Sequence, residues 1–263
     1  MNQSALPKVL TYALVGLVLL FLILPILIII PMSFSDARFL TFPPRVYSMR
    51  WYEAFLGSAA WMSAARTSFT VALLATILAT PIGIASAYAI TYSSLRVMRL
   101  LRLMLMLPLM VPIIIVAIGV FLIYARTGLL SSVAGLVLAD TMLGIPFVVL
   151  AVTAGLQSFD HTQEMVARSL GMNRFRAFMT VTLPQIKASV ASGAIFVFIS
   201  ALDETVVALF ISGGETQTLT KRMFTALRDE IDPTIAAIST LLTVISFLLI
   251  LSIGLFQRKA NRT

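Results

Sequence analysis

Residues 160–184 read DHTQEMVARSLGMNRFRAFMTVTLP, the one long polar interruption in a chain otherwise made of apolar runs. Asp160 is a good N-cap, and Gln163 sits three residues later, where a capping box places its return partner. Phe159, Val166 and Leu170 then fall on one helical face, and Gly171 stands where a left-handed stop is wanted. Asn173 caps a second short helix over residues 174–180 before Leu183-Pro184 ends the run. The spacing predicts helix, glycine bend, helix, with an apolar edge and a basic back. That is the shape of an element offered to a partner's groove.

The rest of the chain explains what carries this elbow. Hydrophobic residues make up 59% of it and charged residues 11%, with a mean hydropathy of +1.00. Soluble domains have roughly 45–50% and about 25%. The class is therefore a polytopic, all-α membrane protein. A net charge of +8 in a soluble chain would point to nucleic acid. Here the basic residues cluster at the ends of apolar runs, so they serve topology and lipid headgroups, and no nucleic-acid partner is expected. With no cysteine there is no disulfide framework, thiolate metal site or cysteine nucleophile. The single histidine, His161, cannot build a zinc site alone and is expected solvated at the start of the elbow.

Six apolar spans are predicted, over residues 9–30, 68–90, 103–124, 133–156, 188–211 and 235–256, each long enough for a hydrocarbon core of about 30 Å. The first is too long for a signal-peptide core and reads as a retained helix. Residues 31–67 read as a polar-aromatic connection whose Trp51, Tyr52 and Trp61 suit an interfacial belt. Six spans put both termini on one side and the elbow between the fourth and fifth. The inner side then holds eleven lysines and arginines, including Arg96, Arg99, Arg102 and the basic tail with Arg258, Lys259 and Arg262, against eight outside. The positive-inside rule makes the elbow and both termini cytoplasmic. Pro108 and Pro112 in one span suggest a bend, either beside a pathway or simply for packing. Without an internal repeat or a low-complexity linker, residues 1–263 read as one domain.

Acids inside spans are costly enough to need a reason. Asp203-Glu204 sits mid-span, either as part of a translocation pathway or as a helix break or partner-subunit ion pair. Asp140 either lines the same path or marks where the fourth span emerges. Trp51 is a belt aromatic or a stacking surface for an amine near the outer mouth. Asp232-Pro233-Thr234 reads as the capped start of the last helix. No Gly-Lys dipeptide occurs, so the chain has no P-loop and any ATP must be hydrolysed on another polypeptide. The spacings of zinc proteases and serine hydrolases are absent too.

Gly171, nine residues, then Val181-x-Leu183-Pro184, preceded by Ala167-Arg168-Ser169-Leu170, resembles the EAA loop of the membrane subunits of binding-protein-dependent ABC importers. The family's Glu-Ala-Ala falls on Met165-Val166-Ala167, with Glu164 one place early. Leu202-Asp203-Glu204-Thr205-Val206-Val207, Phe210-Ile211-Ser212-Gly213-Gly214, Thr218-Leu219, Ile231-Asp232-Pro233-Thr234-Ile235-Ala236-Ala237 and Arg50-Trp51-Tyr52 are similar to the second permease subunit of spermidine/putrescine-type importers. The likeness runs over about residues 10–256, with its core over about 60–256. Ile113, after Pro112, is apolar where polyamine members can carry an acid.

The resemblance implies a type I permease subunit in a bacterial inner membrane. Its partners would be a homologous permease subunit, two ATPase subunits and an external substrate-binding protein. ATP and magnesium would sit on the ATPases, with no cofactor on this chain. It implies ATPase coupling through Asp160, Glu164, Ala167, Gly171, Leu183 and Pro184, and a pathway including Asp203 and Glu204, with Asp140 and Trp51 as further candidates. Intramembrane acids favour a cationic cargo, a polyamine first, then an amino-acid derivative or an aminophosphonate-like solute. An ion-coupled secondary transporter or a channel subunit would also use buried acids, but would leave the capped elbow unexplained.

Overall fold

The computed structural model describes residues 5–229 and 232–260. Ile231, Arg262 and the side chains of Arg258 and Lys259, all used above, lie outside the described residues. The described residues are mostly helical, with one isolated β-bridge between Ser35 and Tyr47 among them. It packs into two compact units, residues 1–62 with 225–245 and residues 63–224 with 246–263.

In the first unit, α1 (Ala5–Ser33) is apolar all round, with Leu10 and Phe21 more than 70% exposed, the pattern of a helix that faces lipid. Its end is pinned where the Ser33 hydroxyl meets the Tyr52 hydroxyl at 2.8 Å and Phe34 packs on the Tyr52 ring. Tyr52 lies on α2 (Arg50–Gly57), so the segment expected to be a connection is partly helical. The next helix, α3 (Ala59–Tyr92), also begins nine residues before the expected span, where the Ser58 hydroxyl accepts the Trp61 amide. Trp61 is buried, not a belt residue.

The second unit is built on small residues. Ala64, Ser68, Ala72, Ala75, Ala79, Gly83 and Ala87 recur every three or four residues along one face of α3, and all are buried. Such a stripe lets helices in lipid approach closely enough for dispersion to hold them. Next come α4 (Val97–Met110) and α5 (Ile113–Thr127), which meet at 105°. Val111 precedes Pro112 and is therefore pushed out of the helical region, to φ −86° and ψ 135°. The expected bend is thus a full break. Gly128, at φ +73°, stops α5, and Ser132 caps α6 (Val133–Ser158) by accepting the Gly135 amide.

After α6 the elbow consists of α7 (Thr162–Ser169), α8 (Arg174–Ala177), a π turn (Phe178–Thr182) and α9 (Leu183–Gln185). Beyond a 79° bend run α10 (Lys187–Asp203), α11 (Val206–Ile211), α12 (Leu219–Asp229) and α13 (Thr234–Ala260). Asp232 accepts the Thr234 amide at 2.9 Å, so α13 starts with the expected cap. Among the described residues four helices are individually long and apolar enough to cross a membrane, or up to six spans if each bent pair counts as one.

The centre of this unit is the interlock of α6 with α10. A Cβ on Gly144 would meet Val197 Cγ1 at 2.6 Å, and one on Gly155 would meet Ser189 Oγ at 2.5 Å. Gly144→Ala is therefore expected to destabilise the protein by about 1–3 kcal/mol. Adding Val197→Ala should restore most of the loss in thermal unfolding of the purified protein. Equal melting of Gly144→Ala and the parent would contradict this packing.

Candidate functional site

Both breaks open onto the same space. A cavity of about 490 Å³ is lined by Pro108, Leu109 and Ile113 from the first break and by Asp203, Glu204 and Thr205 from the second, with Leu143 and Phe147 of α6 among its walls. Broken helices around a cavity are where irregular backbone is tolerated in a membrane, because the cavity or nearby protein can satisfy it.

The two adjacent acids divide the roles the sequence left open. Glu204 turns onto the backbone. Its carboxylate accepts the amide of Val207 at 2.7 Å and of Ala208 at 2.9 Å, satisfying donors that the start of α11 would otherwise leave bare. Asp203 is exposed, lines the cavity, and takes part in no ion pair among the described residues. Glu204 thus serves the helix break, whereas the Asp203 carboxylate stays exposed at the cavity.

The far end of α11 is held by a cation. Lys221 Nζ donates to the carbonyls of Ser212 and, at 3.2 Å, Leu209. An acid at the start and a base at the end of a short helix both oppose its dipole. Thr220 donates to the Glu204 carbonyl at 2.8 Å, and Ser68 on α3 accepts the Leu219 amide at 2.7 Å. The start of α12 is thereby tied to the break. None of these contacts, Lys221 included, is signalled by local sequence pattern.

Asp140 is buried within α6 and does not mark an emerging helix end. It is not among the residues lining the cavity. Trp51 belongs to the first unit, where the Arg50 guanidinium lies 5.0 Å above its ring. One face proposed for a solute amine is therefore already occupied by a cation of this chain.

The elbow has its glycine bend, with Gly171 at φ +95°, and its second cap, with Asn173 accepting the Arg176 amide at 2.8 Å. Its first turn differs from the expected capping box. Asp160 accepts the Thr162 amide, and Thr162's side chain and amide hold the exposed Asp160 carboxyl below its usual range. Gln163 accepts from Gln185 at 2.5 Å instead of reaching back. The second helix does not end at Leu183-Pro184 either. A π turn, in which the Leu183 amide reaches the Phe178 carbonyl, carries it through to Gln185.

Of the predicted apolar edge, Val166 and Leu170 are exposed, while Phe159 is half-buried. Gly171 and Pro184 are also exposed and Leu183 is half-buried, whereas Ala167 and Glu164 turn inward. His161, expected in solvent, is half-buried and stacked on Tyr92 at 3.9 Å.

Residues 79–262 match the family of binding-protein-dependent transport system inner membrane components. The chain is similar to the spermidine/putrescine transport system permease protein PotC of Haemophilus influenzae, with 28% identity covering 92% of this chain and 93% of that one. It is 29% identical to the putrescine transport system permease protein PotI of Escherichia coli K12, covering 84% and 81%. Its fold is similar to a chain from a bacterial ABC transporter that imports alginate, with a TM-score of 0.74, 16% identity and 98% of each chain covered.

Glu204→Ala should bare the start of α11. A cap is worth about 1 kcal/mol, so amide exchange at Val207 and Ala208 is expected to quicken roughly fivefold. Glu204→Gln, which keeps one acceptor oxygen, should change it less. Unaltered exchange in the alanine variant would remove the capping role.

Proposed function

Because the chain belongs to the family of binding-protein-dependent transport system inner membrane components, we propose that it is a permease subunit of an ATP-driven importer for a small cation of the putrescine or spermidine kind. The observation that carries this reading is the cavity between the two helix breaks, with Asp203 exposed in its wall. A carboxylate without an ionic partner among the described residues, in a cavity with several apolar walls, suits an amine on an alkyl chain, since the chain covers the walls while the ammonium supplies a counter-charge. The similarity to PotC and PotI supports the same class of cargo.

In this reading residues 1–263 act as one permease domain beside a homologous subunit. Two ATPase subunits dock on the elbow in the cytoplasm, a binding protein delivers cargo outside, and both termini are cytoplasmic. ATP binding and hydrolysis belong to the ATPases. They move the elbow through its exposed Val166 and Leu170, and α10, which follows the elbow directly, carries the motion to Asp203. Gly171 sets the angle of the elbow, and Asp160, Ala167, Leu183 and Pro184 hold its ends and inner face.

A second reading is favoured by Ile113, which stands in the cavity wall where a further acid would be needed to match a second ammonium. It assigns the cavity to a solute with a single amine, an amino-acid derivative or aminophosphonate.

Reconstituted with its partner subunits, the complex should take up putrescine in an ATP-dependent manner that survives collapse of the proton gradient. Asp203→Asn is expected to lower uptake about tenfold, the equivalent of about 1.4 kcal/mol of lost attraction, with the complex still assembled. Undiminished uptake would exclude Asp203 from the pathway. Uptake of a mono-amine alone would select the second reading, and dependence on the proton gradient would defeat both.

Gly171→Val puts a β-branched residue at φ +95°, where L side chains are strained. It should abolish the stimulation of ATP hydrolysis by loaded binding protein, and normal stimulation would remove the elbow from coupling.

A further inference from the structure

The elbow buries an acid that a surface meant for a partner would leave in water. Glu164, on α7, is 0% exposed. Its carboxyl accepts the Tyr88 hydroxyl from α3 and, at 2.5 Å, the Thr182 hydroxyl from the π turn. His161 Nδ1 lies 3.8 Å away, and its ring is stacked on Tyr92 of α3. Arg174, on the elbow's second arm, lies 5.1 Å above the Tyr88 ring and donates to its hydroxyl at 3.4 Å. One carboxyl therefore joins three pieces that are distant in sequence: the end of α3, the first arm of the elbow and the second.

We propose that Glu164 is a positioning residue, a clasp that makes both arms of the elbow move with α3 as one body. The inference rests on reading the elbow as the place where an ATPase acts, and adds what happens behind that surface. A buried carboxyl stripped of hydrogen bonds is among the costlier defects a protein can carry. If α7 were to swing away from α3 or from the π turn, Glu164 would lose one of its two hydroxyl donors while the other still held it. The arrangement thus resists hinging at this joint. A push on Val166 and Leu170 reaches α3 as well as α10, so both walls of the elbow respond together. Glu164 acts through Tyr88 and Thr182, and its inward burial leaves the exposed apolar residues to meet the partner.

The chain has no cysteine, so labels attached to introduced ones before assembly sit only where they are placed. Spin labels at Ser94→Cys and Ser169→Cys, in the complex assembled with its partner subunits, read the distance between the end of α3 and the elbow. A narrow distribution is expected in the parent. Glu164→Ala, and Tyr88→Phe combined with Thr182→Val, should each broaden it at least twofold. Glu164→Gln should restore it, because its amide oxygen accepts one hydroxyl and its amide hydrogens can satisfy the other once that hydroxyl turns.

In the same preparations the Glu164→Ala complex should keep its ATPase subunits in unchanged ratio. It should lose most of its ATP hydrolysis response to loaded binding protein, and Glu164→Gln should recover that response. A parent-like distribution in Glu164→Ala, or loss of the ATPase subunits already in Glu164→Gln, would overturn the clasp; the second result would mean a direct charge contact. Failure of the importer reading shows separately, as absence of ATP-dependent uptake by the parent, while the label distances still report on the joint.

Discussion

A backbone that crosses hydrocarbon must bring its own hydrogen-bond partners, and this requirement governs the molecule at the places where its helices stop. Two of them stop inside apolar sequence, at Val111-Pro112 and at Glu204-Thr205. At the second, a carboxylate takes the exposed amides and Thr220 donates to the carbonyl of Glu204 itself, while a lysine takes carbonyls at the far end of the short helix that follows. Without these groups the break would unravel or re-form as continuous helix, and Asp203 would lose the bend that sets it in a cavity wall. The chemistry of the site depends on a solved problem of backbone accounting.

Packing supplies the second condition. Short helical pieces have little stability of their own, so the interrupted segments need a rigid neighbour. The small-residue face of α3 and the glycines of α6 and α10 provide it, bringing backbones close enough that Val148 and Val197 fill the space between helices. Bulky residues in these positions would hold the helices apart and leave the breaks unsupported. The small residues are thus part of the same design as the acids, although they carry no chemistry.

How far the sequence was legible depends on how local each cause is. Gly171, Asn173, Pro112 and Asp232 act on residues within four of themselves, and their bends and caps were readable from order alone. The division of labour between Asp203 and Glu204 was not, because it turns on which carboxylate reaches back to the following amides. The burial of Glu164 was hidden for another reason: Tyr88 is 76 positions away, and a tyrosine near the end of an apolar span reads as a belt residue. His161 was misplaced in solvent for the same reason, since its stacking partner Tyr92 lies on another helix. The early start of α3 was missed because hydropathy marks where a helix is apolar, while Ser58 marks where it begins.

The elbow leaves Leu170 81% exposed and Phe175 73% exposed, with Val166 exposed as well, on a segment that lies outside the apolar spans. Uncovered apolar side chains in water favour association with whatever is at hand. A copy made in excess of the partners proposed for it would therefore advertise its orphan state to chaperones and proteases, and the surface proposed to receive force would also regulate how many unassembled copies a cell retains.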